Sequence, residues 1–315
     1  MFASRTGYLK GIRNATSFEN PGTLALLSTT QAKIGPTSAN FPGASVNSAI
    51  YSATSNRFIR GTSPFTIECW FYQTSTTPTF PCLISNDWNT RATFGNQDWN
   101  LQSHRNVVGQ TQRLAFNVGA ISTGAVFLQG TTSLALNAWH YATVVRTASS
   151  GASMTASSIN SSGVLTVGTL ASGTISVGLA LTGTGVPANT YIQSNISGTG
   201  SGSTWQTNTT TVVASTTITG NNFTLYVNGT REAQGSSAAN LDGTATTRRM
   251  CVGGFGTSTV SYFVGFIDEL RFSTVARYYE NFTAPTTPSV DDADNLLLAH
   301  FDGANAQQSW PDDNT

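Results

Sequence analysis

The triplet Asp-Trp-Asn occurs twice, at residues 87–89 and 98–100, on either side of a stretch rich in Asn, Thr and Gly. An indole plate flanked by amide and carboxylate groups suits sugar recognition, because hydroxyls need directional partners and a pyranose face needs an apolar surface. Trp88, Asn89, Trp99 and Asn100 are therefore the candidate ligand-binding residues. The competing reading packs both tryptophans in a core, where tryptophan usually resides. Asp268 is a second candidate. In an extended segment it shares a face with Tyr262, Val264, Phe266, Leu270 and Phe272, and a carboxylate on an apolar face demands partners. Backbone N–H groups donated by a loop would satisfy it.

Catalytic constellations do not stand out. His104, His140 and His300 are scattered, with no HExxH pair and no Cys-His spacing for zinc. There is no GxSxG elbow and no phosphate-binding loop. Adjacent Asp268 and Glu269 are expected on opposite faces of a strand, which would keep them from forming a close carboxylate pair. His140, beside Trp139, reads as a packing residue. No catalytic residue is assigned.

Around these residues the chain is unusually neutral. Of 315 residues, 10% are charged against about 25% in ordinary soluble proteins. Fifteen basic and fifteen acidic side chains cancel, so nothing steers the chain toward nucleic acid or an anionic membrane. The first residues lack an apolar leader core and no run of about 18 apolar residues occurs, so neither a signal peptide nor a membrane span is expected. Cys69, Cys82 and Cys251 are odd in number, and read as reduced core residues. A Cys69–Cys251 disulfide across two layers is the alternative that spacing leaves open.

The elements that must position the candidates are strands. Segments 65–72 (FTIECWFY), 139–146 (WHYATVVR), 223–229 (FTLYVNG) and 263–272 (FVGFIDELRF) alternate or run apolar over strand length between Gly, Pro, Asn or Ser. In 65–72, Phe65, Ile67, Cys69 and Phe71 form the better core face. Asn228-Gly229 predicts a tight type I′ hairpin returning into 230–233. Residues 147–230 contain no Asp, Glu, Lys, Arg or His. Within them, regular spacing of Ile175, Val177, Leu179 and Leu181 between Gly-rich turns predicts a small β module rather than a linker. Residues 275–288 read as a short helical or irregular exit ended by prolines.

In order, the four strands resemble the laminin G-like, concanavalin A-type jelly roll of the kind found in phage virion structural proteins. The expected fold is an all-β antiparallel sandwich with an inserted β module. Its parts are an N-terminal arm or first strand (1–40), a jelly roll from 41–147 and 222–290, an uncharged insertion at a hairpin tip (148–221), and an acidic tail (291–315). The insertion more faintly resembles short modules of phage structural proteins. The tail resembles the opening strand of a further copy, which would close its own sandwich or pair with a neighbour.

The resemblance carries functional expectations. Calcium sites occur in this fold, so Asp268, with Asp87 and Asp98 if their loops converge, is a candidate calcium-binding set. Retaining glycosidases of this fold carry Glu-x-Asp-x-x-Glu. Here residues 266–271 offer the central Asp268 alone, with Phe266 and Arg271 in place of the two glutamates, so the chain is read as non-enzymatic. The leading expectation is a virion surface protein, as decoration, fibre or adhesion component. It would be assembled in the host cytoplasm as a homo-oligomer, with other virion proteins and host-surface glycans as partners. A free carbohydrate-binding lectin is the alternative, and a polysaccharide-degrading enzyme the third.

Overall fold

The computed structural model describes residues 18–19, 26–43, 49–52, 55–86, 99–104, 111–119, 126–241, 247–254 and 261–303. Among them there is no α-helix. The chain opens with β1 (Phe18–Glu19), β2 (Leu26–Ser28), β3 (Ser38–Phe41), β4 (Ile50–Ser52), β5 (Phe65–Gln73) and β6 (Cys82–Asn86). Then come β7 (Trp99–His104), β8 (Arg113–Val118), β9 (Phe127–Gln129) and β10 (Trp139–Arg146). Seven short strands follow: β11 (Ala152–Ile159), β12 (Val164–Thr166), β13 (Thr169–Gly173), β14 (Ala180–Gly183), β15 (Ile192–Ser197), β16 (Thr204–Thr207) and β17 (Val213–Asn221). The last five are β18 (Phe223–Val227), β19 (Thr230–Gly235), β20 (Met250–Val252), β21 (Gly265–Ser273) and β22 (Asn295–Ala299).

Two of the sheets make the sandwich. One has the order β1-β4-β20-β6-β7-β8-β9; the other runs β19-β18-β10-β5-β21-β3-β2, with β22 paired along the second half of β21. All described pairings are antiparallel. This is the concanavalin A-like jelly roll. Strand alternation sends Phe65, Ile67, Cys69 and Phe71 into a single core shared with Leu101, Phe116, Phe223 and Phe272. Phe65 sits at its centre, with ring centroids 6.0–6.3 Å from Phe116, Phe223 and Phe272. Each such ring removed from water contributes about 1.5–3 kcal/mol.

The other face of β5 is buried too. Trp70 and Tyr141 pack under Phe282 and Ala284 of the segment that follows β21, an irregular strap over 274–294 rather than a helix. The strap is seated on the β18–β19 hairpin, whose tip has φ of 53° at Asn228 and 80° at Gly229, as a type I′ turn requires. The Phe282 N–H donates to the Gly229 carbonyl at 2.9 Å.

The sandwich begins earlier than Phe41, because β1 pairs with β4, and β2 and β3 extend the eight-stranded sheet. The tail strand β22 pairs within its own sandwich. The cysteines are buried and joined by no disulfide; Cys69 faces the core, while Cys251 points away from it beside Ala49 and Tyr51, so the two cannot bridge.

Strands β11–β17 form a third sheet, ordered β14-β17-β11-β12-β16-β15, with β13 on β11. It has its own core of Met154, Ile159, Leu165, Ile175, Leu179, Leu181, Ile192, Trp205 and Ile218. Ile175, Leu179 and Leu181 point in as their spacing predicts. Val177 does not: it lies in a turn and is exposed.

Candidate functional site

β7 brings the second Asp-Trp-Asn triplet into the sandwich, and pleating separates its members. Trp99 turns inward and is fully buried, 6.2 Å from the ring of Phe116 and 5.9 Å from that of Phe272. It cannot serve as a sugar plate, which corrects the expectation for this residue. Its neighbour Asn100 turns outward, together with Gln102 and His104. Asp87, Trp88, Asn89 and Asp98 lie outside the described residues.

The outward face of β7, β8 and β9 carries three cross-strand rows. Asn100 stands beside Asn117 and Asn117 beside Phe127; Gln102 beside Ala115 and Ala115 beside Gln129; His104 beside Arg113. Asn117 Nδ2 donates to Asn100 Oδ1 at 3.0 Å, while Asn117 Oδ1 is buried and has no hydrogen-bond partner among the described residues. Gln129 Nε2 lies 2.9 Å from His104 Nδ1. The His104 ring is stacked on Phe80 at 4.9 Å and meets the edge of Phe127 at 5.3 Å. Phe80 and Phe127 are 36% and 37% exposed, so aromatic faces reach solvent beside an amide floor. Burial holds His104 below the ordinary histidine range, which makes it neutral at neutral pH. The floor bears no carboxylate at its outward β7–β9 positions. Such a surface offers directional hydrogen bonds and apolar plates, the complement of a neutral polyhydroxyl compound.

Asp268 and Glu269 occupy a β-bulge. The pairing of β21 with β5 slips between Asp268 and Arg271, and Glu269 has a left-handed φ of 51°. Consequently both carboxylates leave the core on the same side, against the expectation of opposite faces. Asp268 is fully buried: Oδ2 accepts from the backbone N–H of Lys33 at 2.8 Å and of Ile34 at 3.1 Å, and Oδ1 from Glu269 at 3.0 Å. Three backbone hydrogens thus face its oxygens, so it acts as a buried acceptor that anchors the 31–35 loop. Burial pushes its pKa up to about 7, with the N–H donors pulling against that and Glu269 and Asp302 adding repulsion. Glu269 Oε2 accepts from Ser289 N–H at 2.8 Å, and Oε1 lies 2.7 Å from His300 Nδ1. Among the described residues, no group of three or more His, Cys, Asp or Glu side chains could hold a metal ion.

The remaining histidine is a packing residue. His140 Nε2 lies 3.2 Å from the Ala135 carbonyl and its ring 5.7 Å from that of Phe71. Sequence reasoning passed over Gln102, Asn117, Phe127 and Gln129. The alternation in 113–118 (RLAFNV), which separates Leu114, Phe116 and Val118 from Asn117, was the available signal.

Comparison with known proteins places residues 154–280 in a match to the family described as concanavalin A-like lectin/glucanases superfamily. That span runs from within β11, through the third sheet and β18–β21, into the strap. No curated protein matches the chain. Among solved structures it is similar to a protein from Bacteroides ovatus described as carbohydrate binding, at 14% identity and TM-score 0.41, over 93% of this chain and 52% of that one. It is also similar to tailspike protein 2 of an Escherichia coli bacteriophage, at 9% identity and TM-score 0.47, over 94% of this chain and 31% of that one. A third is domain 4 of an extracellular arabinanase from Geobacillus stearothermophilus, in complex with arabinotriose, at 11% identity and TM-score 0.43, over 84% of each chain. The chain thus spans about half the length of the first of these and about a third of the second.

Proposed function

We propose that this chain is a non-enzymatic glycan-binding jelly roll displayed on the surface of a phage particle. The observation that carries the binding reading is the pair of rings Phe80 and Phe127, 36% and 37% exposed, which flank His104 at the edge of the amide rows. A sugar ring face can lie on Phe127 while the exposed Arg113 and the half-buried Gln129 on the same face offer its hydroxyls partners. The two buried carboxylates of β21 are engaged by loop N–H groups, which supports binding without turnover. The charge-poor composition and the neutral β module support a particle-surface setting, where shallow sites act together by multivalency.

Glycan-array binding tests the reading, with wild type against Phe127→Ala and Asn117→Ala. Loss of an aromatic anchor is expected to weaken retention at least tenfold, or about 1.4 kcal/mol. Equal retention by all three proteins refutes the assignment of this face. Mass spectrometry of purified particles tests the setting, and a chain found free of particles leaves the lectin reading in its place.

A further inference from the structure

The outward face of the eight-stranded sheet carries a second aromatic surface, on the other sheet from Phe127. Strand register sets Asn40 of β3 beside Phe266 of β21, Phe266 beside Tyr72 of β5, and Tyr72 beside Trp139 of β10. Their neighbours Ala39, Ile267 and Phe71 point into the core, so pleating turns all four outward. The ring centroids of Trp139 and Tyr72 are 5.5 Å apart, and those of Tyr72 and Phe266 6.0 Å. Phe266 is buried, whereas Asn40, Tyr72 and Trp139 are half-buried. Along one side of this row the 31–35 loop and the strap form a wall. There Ile34, Trp70 and Ala284 pack together, Trp139 rests against them, and the exposed Lys33 holds its ammonium 4.2 Å from the centre of the Trp70 ring.

The polar groups of the row are uncommitted. Among the described residues, the Tyr72 hydroxyl, the Trp139 indole N–H and the Asn40 side-chain amide make no hydrogen bond, and none of them is sealed from solvent. An indole N–H only donates, a phenol and an amide both donate and accept, and the aromatic faces between them are apolar plates. A pyranose matches that mixture, with a face of C–H groups and hydroxyls around its rim. The row crosses four strands at about 4.8 Å spacing, so it extends roughly 14 Å while staying one side chain wide. A strip of that shape fits sugars joined end to end, laid across the strands along the foot of the wall. A protein partner would need a broader patch with an apolar centre. We propose that the row Trp139, Tyr72, Phe266 and Asn40 is a second glycan site, which takes a linear polysaccharide chain. It does not depend on the Phe127 face.

Affinity electrophoresis of the full chain in gels containing a panel of linear polysaccharides tests this, with Phe127→Ala present to silence the first face. In that background, Trp139→Ala and Tyr72→Ala are each expected to weaken retention at least tenfold. If Phe127→Ala alone already abolishes retention, or if the added substitutions leave it unchanged, the second site is overturned while the Phe127 face keeps its own test. Asn40→Ala and Trp139→Phe decide the matter where the larger truncations unfold the chain. Lowered retention in either supports the site; undiminished retention in both overturns it. Failure of the wild type to retain on any polysaccharide overturns both faces. A wild-type dimer that Trp139→Ala dissolves assigns the row to a second copy of this chain, and overturns the proposal as well.

Discussion

The sandwich and the inserted module are both neutral-surfaced β structures, yet they are held together differently. In the sandwich, buried charges tie together segments far apart in the chain: Asp268 to Lys33 and Ile34, Glu68 to Arg271, and Arg146 to the carbonyls of Gly61 and Ala239. In the module the fixing contacts are uncharged, whether short or long in range. Asn160 Oδ1 accepts from Ser162 and Val164, Trp205 Nε1 donates to Ser203 Oγ, and Thr190 and Ser203 hydroxyls bond carbonyls three residues back. A jelly roll must close long loops onto one another, and a charge-assisted bond gives such a loop one defined landing place. The module's sheet, with its equally non-sequential order β14-β17-β11-β12-β16-β15, is closed by neutral side chains such as Thr207, whose hydroxyl donates to the Gly163 carbonyl, and Asn221, whose Nδ2 donates to the Ala180 carbonyl. The lesson is that the buried ionisable residues of the sandwich mark long-range closure.

Arg146 is the sharpest way to break that contrast, for it is the last charge before the neutral stretch. Fully buried, it donates to the carbonyls of Ala148, Gly61, Ser149 and Ala239 at 2.7–3.1 Å. Burial and nearby Arg60 push its pKa down to about 10, which still leaves it charged at neutral pH. Arg146→Ala is expected to cost the sandwich about 3–5 kcal/mol in denaturant unfolding, because a fully buried side chain is removed and the buried Ala148 carbonyl and three part-buried hydrogen bonds lose their donor. A loss within experimental error would mean that closure does not depend on it.

Trp205→Ala probes the other side of the comparison. Removing this buried ring from the module core is expected to cost about 3 kcal/mol, confined to the module. Hydrogen exchange should show faster opening of β11–β17 and unchanged protection in β5 and β10. If β5 and β10 lose protection equally, the two regions share one cooperative core.

Asp268 predicts a pH dependence for the sandwich. Its folded pKa, about 7, stands above the unfolded 3.8, so the folded state holds the proton more tightly across that window. The stability contributed by this group is therefore full below about pH 4 and falls as pH rises toward 7, at up to about 1.4 kcal/mol per unit. Asp268→Asn should flatten that slope in melts between pH 4 and 7. An unaltered slope would assign the dependence to other groups.

The smallest stability effect belongs to the amide face. Phe127→Ala, at a 37% exposed ring, should change stability by no more than about 0.5 kcal/mol while reducing glycan retention. A large loss of stability would make Phe127 a packing residue and turn the face into part of the scaffold.

Much of this division is legible in the residues. The alternation of Phe65, Ile67, Cys69 and Phe71, the Asn228-Gly229 turn and the uncharged stretch all follow from local periodicity and φ preferences, which survive into the fold. Trp99 shows where local reading fails, for the same alternation that buries it exposes Asn100, and a motif that treats the two as one site must be half wrong. Alternation itself breaks down at Glu269, where a left-handed residue inserts an extra position into β21, and nothing about a glutamate announces positive φ. The strap over Trp70 and Tyr141 rests on contacts between residues far apart in the chain, such as the donation from Trp70 Nε1 to the Pro285 carbonyl. A single sequence has no local signature for such a contact.

Gly229 carries an implication for anyone rebuilding this scaffold. A Cβ placed there would collide with the Phe282 carbonyl oxygen, so the hairpin tip is also the notch into which the strap is keyed. Loop-grafting at this tip, a natural choice for a tight β-turn, would here evict a distant segment. A transplanted turn has to travel with a redesigned 278–285, or the graft will uncover the aromatic face beneath.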